Sequence, residues 1–132
     1  MARKKSKTLT EAELRLMEVL WRMDEATVTE IMEVLPERLG LAYNTVLTTM
    51  RILEAKGYVR HAKPRQGRAF IYRPRVGRSE ATRNAVRDLL RRFFGQSHEA
   101  LVLNILQDEE LDEQERQRIR DLLDELAKEG QS

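Results

Sequence analysis

The chain has 132 residues, 41% of them hydrophobic, no cysteine and a formal net charge of +2, which suits one ordinary domain or a small domain with an appended element. Disulfides, thiolate metal sites and cysteine nucleophiles are therefore excluded, and no window nears the ~18 uninterrupted apolar residues of a membrane span. The start, Met1-Ala2-Arg3-Lys4-Lys5-Ser6-Lys7, is basic with no apolar run behind it. It does not read as a secretory leader, and the composition fits a reducing cytoplasm.

Thr10-Glu11-Ala12-Glu13 is a capping box: the Thr oxygen and the Glu carboxylate satisfy first-turn amides reciprocally. Leu9 is placed to pack on Leu14 as a staple, and Leu14, Met17, Leu20 and Trp21 predict the buried face of a first helix. Trp21 on that stripe reads as core. Asp24-Glu25-Ala26 is a short connection. Thr27-Val28-Thr29-Glu30 is a second capping box, opening a helix whose buried face is predicted as Ile31, Val34 and Leu35. Pro36 ends it, and Glu37 to Leu41 turn the chain into a third helix.

That third helix, Ala42 to Lys56 with Gly57 as its stop, has Val46, Met50 and Leu53 on one stripe. Asn44, Thr48, Arg51 and Ala55 occupy the opposite side. Asn and Thr are mediocre helix formers; beside an arginine on an exposed face they suit contact with base edges and phosphates. Two strand-like runs follow, Tyr58 to Lys63 and Arg68 to Arg73, separated by Pro64-Arg65-Gln66-Gly67 with turn chemistry. A polar helix followed at once by a basic-tipped hairpin is the layout of a winged helix-turn-helix. From Arg38 to Arg78 there are ten Lys+Arg and a single acid, Glu54. Residues 1–77 carry +6 and residues 78–132 carry −4, so positive charge is concentrated where the helix and hairpin lie. Such a patch is an electrostatic footprint for a polyanion.

Arg75-Val76-Gly77-Arg78 reads as a joint, with Ser79 placed to cap a new helix. Ala81, Ala85, Val86, Leu89, Leu90, Phe93 and Phe94 make a wide apolar face ending at Gly95. Ser97 is placed to cap a helix from His98 to about Gln107, carrying Leu101, Val102, Ile105 and Leu106. Asp112-Glu113-Gln114-Glu115 has the form of a third capping box. Its helix runs to about Lys128, with Ile119, Leu122, Leu123 and Leu126 on one side. These 55 residues are too few to be stable alone with apolar faces this wide, so the expected partner is the same segment of a second chain. The predicted organisation is mainly α: a winged-helix domain over 1–77 and a helical dimerisation domain over 78–132.

The motifs resemble the BlaI/MecI/CopY family of bacterial winged-helix repressors. The likeness runs through Leu9-Thr10-Glu11-Ala12-Glu13, Met17-Glu18-Val19-Leu20-Trp21 and Glu25-Ala26-Thr27-Val28. It continues through Tyr43-Asn44-Thr45-Val46 and Thr48-Thr49-Met50 to Leu53-Glu54-Ala55-Lys56-Gly57. It extends from about Leu9 to Leu126, most specifically in the first 75 residues. The resemblance implies a homodimeric repressor on a pseudo-palindromic double-stranded operator. Groove contacts are expected from Tyr43, Asn44, Thr45, Leu47, Thr48 and Arg51. Phosphate contacts are expected from Lys63, Arg65 and Arg68 on the wing and Arg3, Lys4, Lys5 and Lys7 on the tail. Leu101-Val102-Leu103-Asn104-Ile105 looks like the region cut in antibiotic-responsive members after signalling by a membrane sensor with a protease domain. The implied scissile bond is Asn104–Ile105; the alternative is an apolar dimer helix and nothing more. Where family members commonly carry basic residues this chain has Leu47 and Ile52, so the operator sequence does not carry over, and Leu47 suits a thymine methyl. The cysteine pairs of the copper-responsive branch are missing, which excludes thiolate copper sensing.

Three rival readings remain. For an enzyme, His61 and His98 fall in different domains, neither has metal-ligand spacing with an acid, and no phosphate loop or nucleophile motif is present. No cofactor is expected. His61 reads as a phosphate contact or surface residue. An RNA-binding role would call for stacking platforms beyond Tyr43, Tyr58 and Tyr72. A winged helix used as a protein-interaction module has no need of a polar recognition face or a basic wing.

Overall fold

A computed structural model describes residues 8–64, 67 and 69–131. Its elements in chain order are α1 (Glu11–Met23), α2 (Val28–Val34), a short 3-10 turn (Glu37–Leu39), α3 (Tyr43–Ala55), β1 (Val59–Ala62), β2 (Ile71–Pro74), α4 (Arg78–Phe93), α5 (His98–Leu106) and α6 (Glu113–Gln131). This is a mainly helical winged helix-turn-helix followed in the chain by further helices. The chain packs as two compact units that meet inside α4, between Asp88 and Leu89, whereas the sequence places a joint at Gly77–Arg78. The first turns of α4 belong with the winged helix because Ala81 closes its core. Asn84 also donates to the Tyr58 hydroxyl at 3.4 Å.

In the first unit, both expected N-terminal capping boxes form. Thr10 Oγ1 accepts the Glu13 amide at 3.1 Å while Glu13 Oε1 accepts the Thr10 amide at 2.9 Å. Thr27 and Glu30 repeat the arrangement at the same distances. The core is built from Leu16, Met17, Val19 and Leu20 of α1, Val28 and Ile31 of α2, Leu35, Val46, Met50 and Leu53 of α3, and Tyr58, Val59 and Tyr72 of the wing. The α3 stripe lies as its spacing predicts. The α1 stripe holds at Met17 and Leu20 but not at Leu14, which is 39% exposed, and Leu16 and Val19 are buried as well. Glu13 also faces inward, with its carboxylate 2.7 Å from Lys56 Nζ, so the inward positions include 13, 16, 17 and 20. An acid at the head of a core stripe does not read as core. Trp21 is half-buried; its indole donates to the Val76 carbonyl at 2.9 Å, and the Arg78 guanidinium lies 4.7 Å from its ring. On two-turn α2 the inward positions are Val28, Ile31 and then Leu35, leaving Val34 exposed.

Helix α3 ends at Gly57 (φ 89°), a backbone conformation that costs a glycine little. The Tyr58 amide donates to the Leu53 carbonyl and the Gly57 amide to that of Glu54, the paired bonds of a Schellman stop. Strands β1 and β2 pair antiparallel, with His61 opposite Tyr72 and Ala62 opposite Ile71. The second strand thus begins at Ile71, after Ala69 and Phe70, and reaches Pro74. Two constraints on Tyr72 set this register. Its side chain is buried, and its backbone exchanges hydrogen bonds of 2.8 and 3.0 Å with Ala26, so the α1–α2 connection supplies a third strand-like edge.

In the second unit, the last residues of α4 run into left-handed Gly95 and Gln96. Ser97 caps α5 by accepting the Ala100 amide at 3.1 Å, and Asp112 caps α6 through the Glu115 amide at 2.7 Å. Ser79, by contrast, lies inside α4, one residue past its first position. The Arg116 guanidinium donates to the Leu106 carbonyl at 3.1 Å, tying α6 to the end of α5. Leu90 is buried, while Phe93, Val102, Leu103, Ile105, Leu122, Leu123 and Leu126 are exposed.

Candidate nucleic-acid interface

The candidate surface is made by α3 and the hairpin that its glycine stop turns out beside it. Burying Val46, Met50 and Leu53 fixes the rotation of α3, which leaves Tyr43, Asn44, Thr45, Thr48 and Arg51 exposed. Leu47 is only partly available because it also packs against the core. Thr49 donates its hydroxyl to the Thr45 carbonyl at 2.9 Å. Ala42, at the N-cap of α3, provides no side-chain hydrogen bond, so the positive end of the helix dipole is not screened by a capping carboxylate or hydroxyl as it is in α1 and α2.

A second edge of α3 faces the wing. Burial pushes the Tyr72 phenol above its ordinary value, and the Glu54 carboxylate pushes it the same way. Arg51 opposes them and Tyr43 adds a further upward push. Tyr72 of β2 therefore sits within electrostatic reach of three α3 side chains, and two of these, Tyr43 and Arg51, are among the sequence-predicted contacts. Lys63 is exposed at the end of β1. Arg65 and Arg68, together with the tail residues Arg3, Lys4, Lys5 and Lys7, lie outside the described residues.

Three side-chain pairings around this surface were not legible in the sequence. Arg73 meets Glu25 at 2.8 Å, so one wing cation is already partnered by the α1–α2 connection. Lys56 is held in a nearly dry site by Glu13 and by the Thr8 carbonyl at 3.1 Å, which makes it structural. His61 turns its ring onto Glu54, with Nδ1 at 2.8 and 2.7 Å from the two carboxylate oxygens. The one signal for this last pair is that Glu54 is the lone acid in a run of cations. Among the described residues no cluster of three or more His, Asp or Glu side chains is arranged to hold a metal, and no helix is long and apolar enough to cross a membrane. The Asn104–Ile105 bond lies in the last turns of α5, with both side chains exposed.

Comparison with known proteins agrees with this architecture. Residues 9–125 match the family model described as penicillinase repressor. The penicillinase repressor of Bacillus licheniformis is 28% identical over 122 residues, spanning 92% of this chain and 94% of the relative. That of Staphylococcus aureus is 22% identical over 117 residues, spanning 89% and 91%. Among solved structures, the DNA-binding domain of the repressor BlaI superposes with a TM-score of 0.50 at 29% identity, covering 59% of this chain and 93% of that domain. With the family model spanning nearly its whole length, the chain belongs to the penicillinase repressor family.

Proposed function

We propose that the protein is a DNA-binding transcriptional repressor that works as a homodimer on a pseudo-palindromic, double-stranded operator. The observation that carries the reading is the exposed polar face of α3, with Asn44, Thr48 and Arg51 beside a wing in a strongly basic stretch, in a chain of this family. Side chains of this length, on a helix that enters the major groove, read base edges. The wing and tail cations, Lys63, Arg65, Arg68, Arg3, Lys4, Lys5 and Lys7, act on phosphates, which positions the helix without specifying sequence. The exposed apolar side chains of the second unit support dimerisation, since a monomer seldom leaves so many in one short segment. Two-fold symmetry then matches two half-sites a whole number of turns apart. Cleavage at Asn104–Ile105 by a membrane sensor's protease system would break the same unit. That step belongs to the reading through the family resemblance alone.

The test separates base contacts from phosphate contacts. Asn44→Ala or Thr48→Ala is expected to weaken binding to the cognate duplex by about 1–3 kcal/mol with little change on random DNA. Equal loss on both duplexes contradicts a base-reading role. Arg65→Ala combined with Arg68→Ala is expected to weaken all sequences alike and to flatten the slope of log affinity against log salt by about two. An unchanged slope removes the wing tip from the contacts. Selective capture of a protein partner by a chain that ignores both duplexes is the result expected of an interaction module.

A further inference from the structure

We propose that Glu54 and His61 form a latch that holds the wing against α3, and that operator binding tightens it by taking up a proton on His61. The inference rests on the operator reading above and goes beyond it, because that reading gives Glu54 no role and His61 at most a phosphate contact.

A carboxylate on a surface that meets phosphates is unfavourable, and Glu54 is the one acid among ten cations between Arg38 and Arg78. The geometry gives it a use. Glu54 stands near the end of α3 and His61 on β1, across the glycine stop. The ring Nδ1 lies 2.8 and 2.7 Å from the two Glu54 oxygens, and the His61 amide donates to Oε2 at 3.2 Å. One carboxylate therefore grips both the side chain and the backbone of a wing strand. The ring is confined on other sides by Phe70 at 4.4 Å and Tyr72 at 5.9 Å between centroids. Phe70 directly precedes β2 and Tyr72 lies on it, so the contact joins both arms of the hairpin to α3.

With Nδ1 donating to Glu54, a neutral ring presents Nε2 as an acceptor, and a protonated ring presents it as a second donor. The charges around the ring bear on that choice. Glu54 favours the imidazolium. Arg51 of α3 lies close enough to act on neighbouring Tyr72, and Arg60 and Lys63 flank His61 along its own strand; all three oppose protonation. Tyr43 and Tyr72 are uncharged, and Arg73, opposite Arg60, is partnered by Glu25. DNA changes the balance, because phosphates offset the arginine and lysine charge and favour the cationic ring. The imidazolium then neutralises Glu54, and Nε2–H offers phosphate a donor. The bound complex holds more protons than the free protein, so binding strengthens as pH falls.

The full chain is titrated with its own upstream duplex at about pH 6 and about pH 8, on either side of the ~6.5 at which free imidazole titrates, at one salt concentration. The wild-type chain is expected to bind at least about threefold tighter at the lower pH. His61→Gln, which keeps a donor for Glu54 but cannot titrate, should lose that ratio, whereas His98→Gln should keep it. His61→Ala should bind more weakly than His61→Gln at the higher pH, since it cannot hold the carboxylate at all. Normal binding with the wild-type ratio intact in His61→Gln overturns the latch and leaves the operator reading standing. Failure of the wild-type chain to bind at either pH, even at low salt, overturns both.

Discussion

Lys56→Met is expected to destabilise the winged-helix unit by about 3–5 kcal/mol, the usual result of leaving one partner of a buried ion pair unmatched. The Lys56 and Glu13 side chains are only 10% and 6% exposed. Glu13 serves two purposes there: it pairs with Lys56 and closes the capping box through the Thr10 amide. Without the ammonium, the carboxylate stays in a nearly dry site between α1 and α3. A loss of this size is a large part of the 5–15 kcal/mol that holds a typical domain together. Chemical denaturation should show a lower midpoint with an unchanged slope. Adding Glu13→Leu to Lys56→Met should recover much of the loss, less the cost of the cap, because an apolar pair of similar volume has no charge to strand. A Lys56→Met chain as stable as wild type would mean that the pair is open to water.

Leu122→Glu combined with Leu126→Glu is expected to convert the proposed dimer to a monomer and to weaken operator binding by about 10²–10⁴-fold, the advantage two linked binding modules lose when they are separated. Leu126 is 63% exposed and Leu122 57%, so neither substitution disturbs a packed core within the single chain. Helix α6 also carries charge along its other side and keeps its Asp112 cap in the variant. Sedimentation velocity should report the monomer, and circular dichroism should report unchanged helix content. A double variant that stays dimeric would move the interface to another face, such as that around Phe93, 68% exposed on α4.

The parts of the fold that were legible in the sequence are those set by local chemistry. Thr10, Thr27, Ser97 and Asp112 announce helix starts because a short oxygen beside a free amide needs no tertiary context. Gly57 announces a stop for a similar reason. The α3 stripe of Val46, Met50 and Leu53 was legible because nothing polar interrupts it, and its polar reverse face followed at once. What stayed hidden depends on long-range pairing. The burial of Glu13 beside Leu16 and Met17 was hidden because its partner, Lys56, lies at the far end of α3. Tyr72 moved β2 toward Pro74 because its backbone partner is Ala26, whose neighbourhood reads as a simple connection. Ser79 looked like a cap, yet α4 begins one residue earlier, after Gly77. At the candidate interface, Asn44, Thr48 and Arg51 stood out by type and spacing. The Glu54–His61 contact required the hairpin to fold back beside α3 before it became visible.

The most direct measurement is binding of the purified chain to its own upstream DNA and to a scrambled duplex of the same composition, titrated with salt. Selective binding at a two-fold site is expected, weakening steeply with salt as counterions compete for phosphates, with a stoichiometry of two chains per site. Absence of binding to either duplex at low salt, or equal affinity for both at every salt concentration, would contradict it.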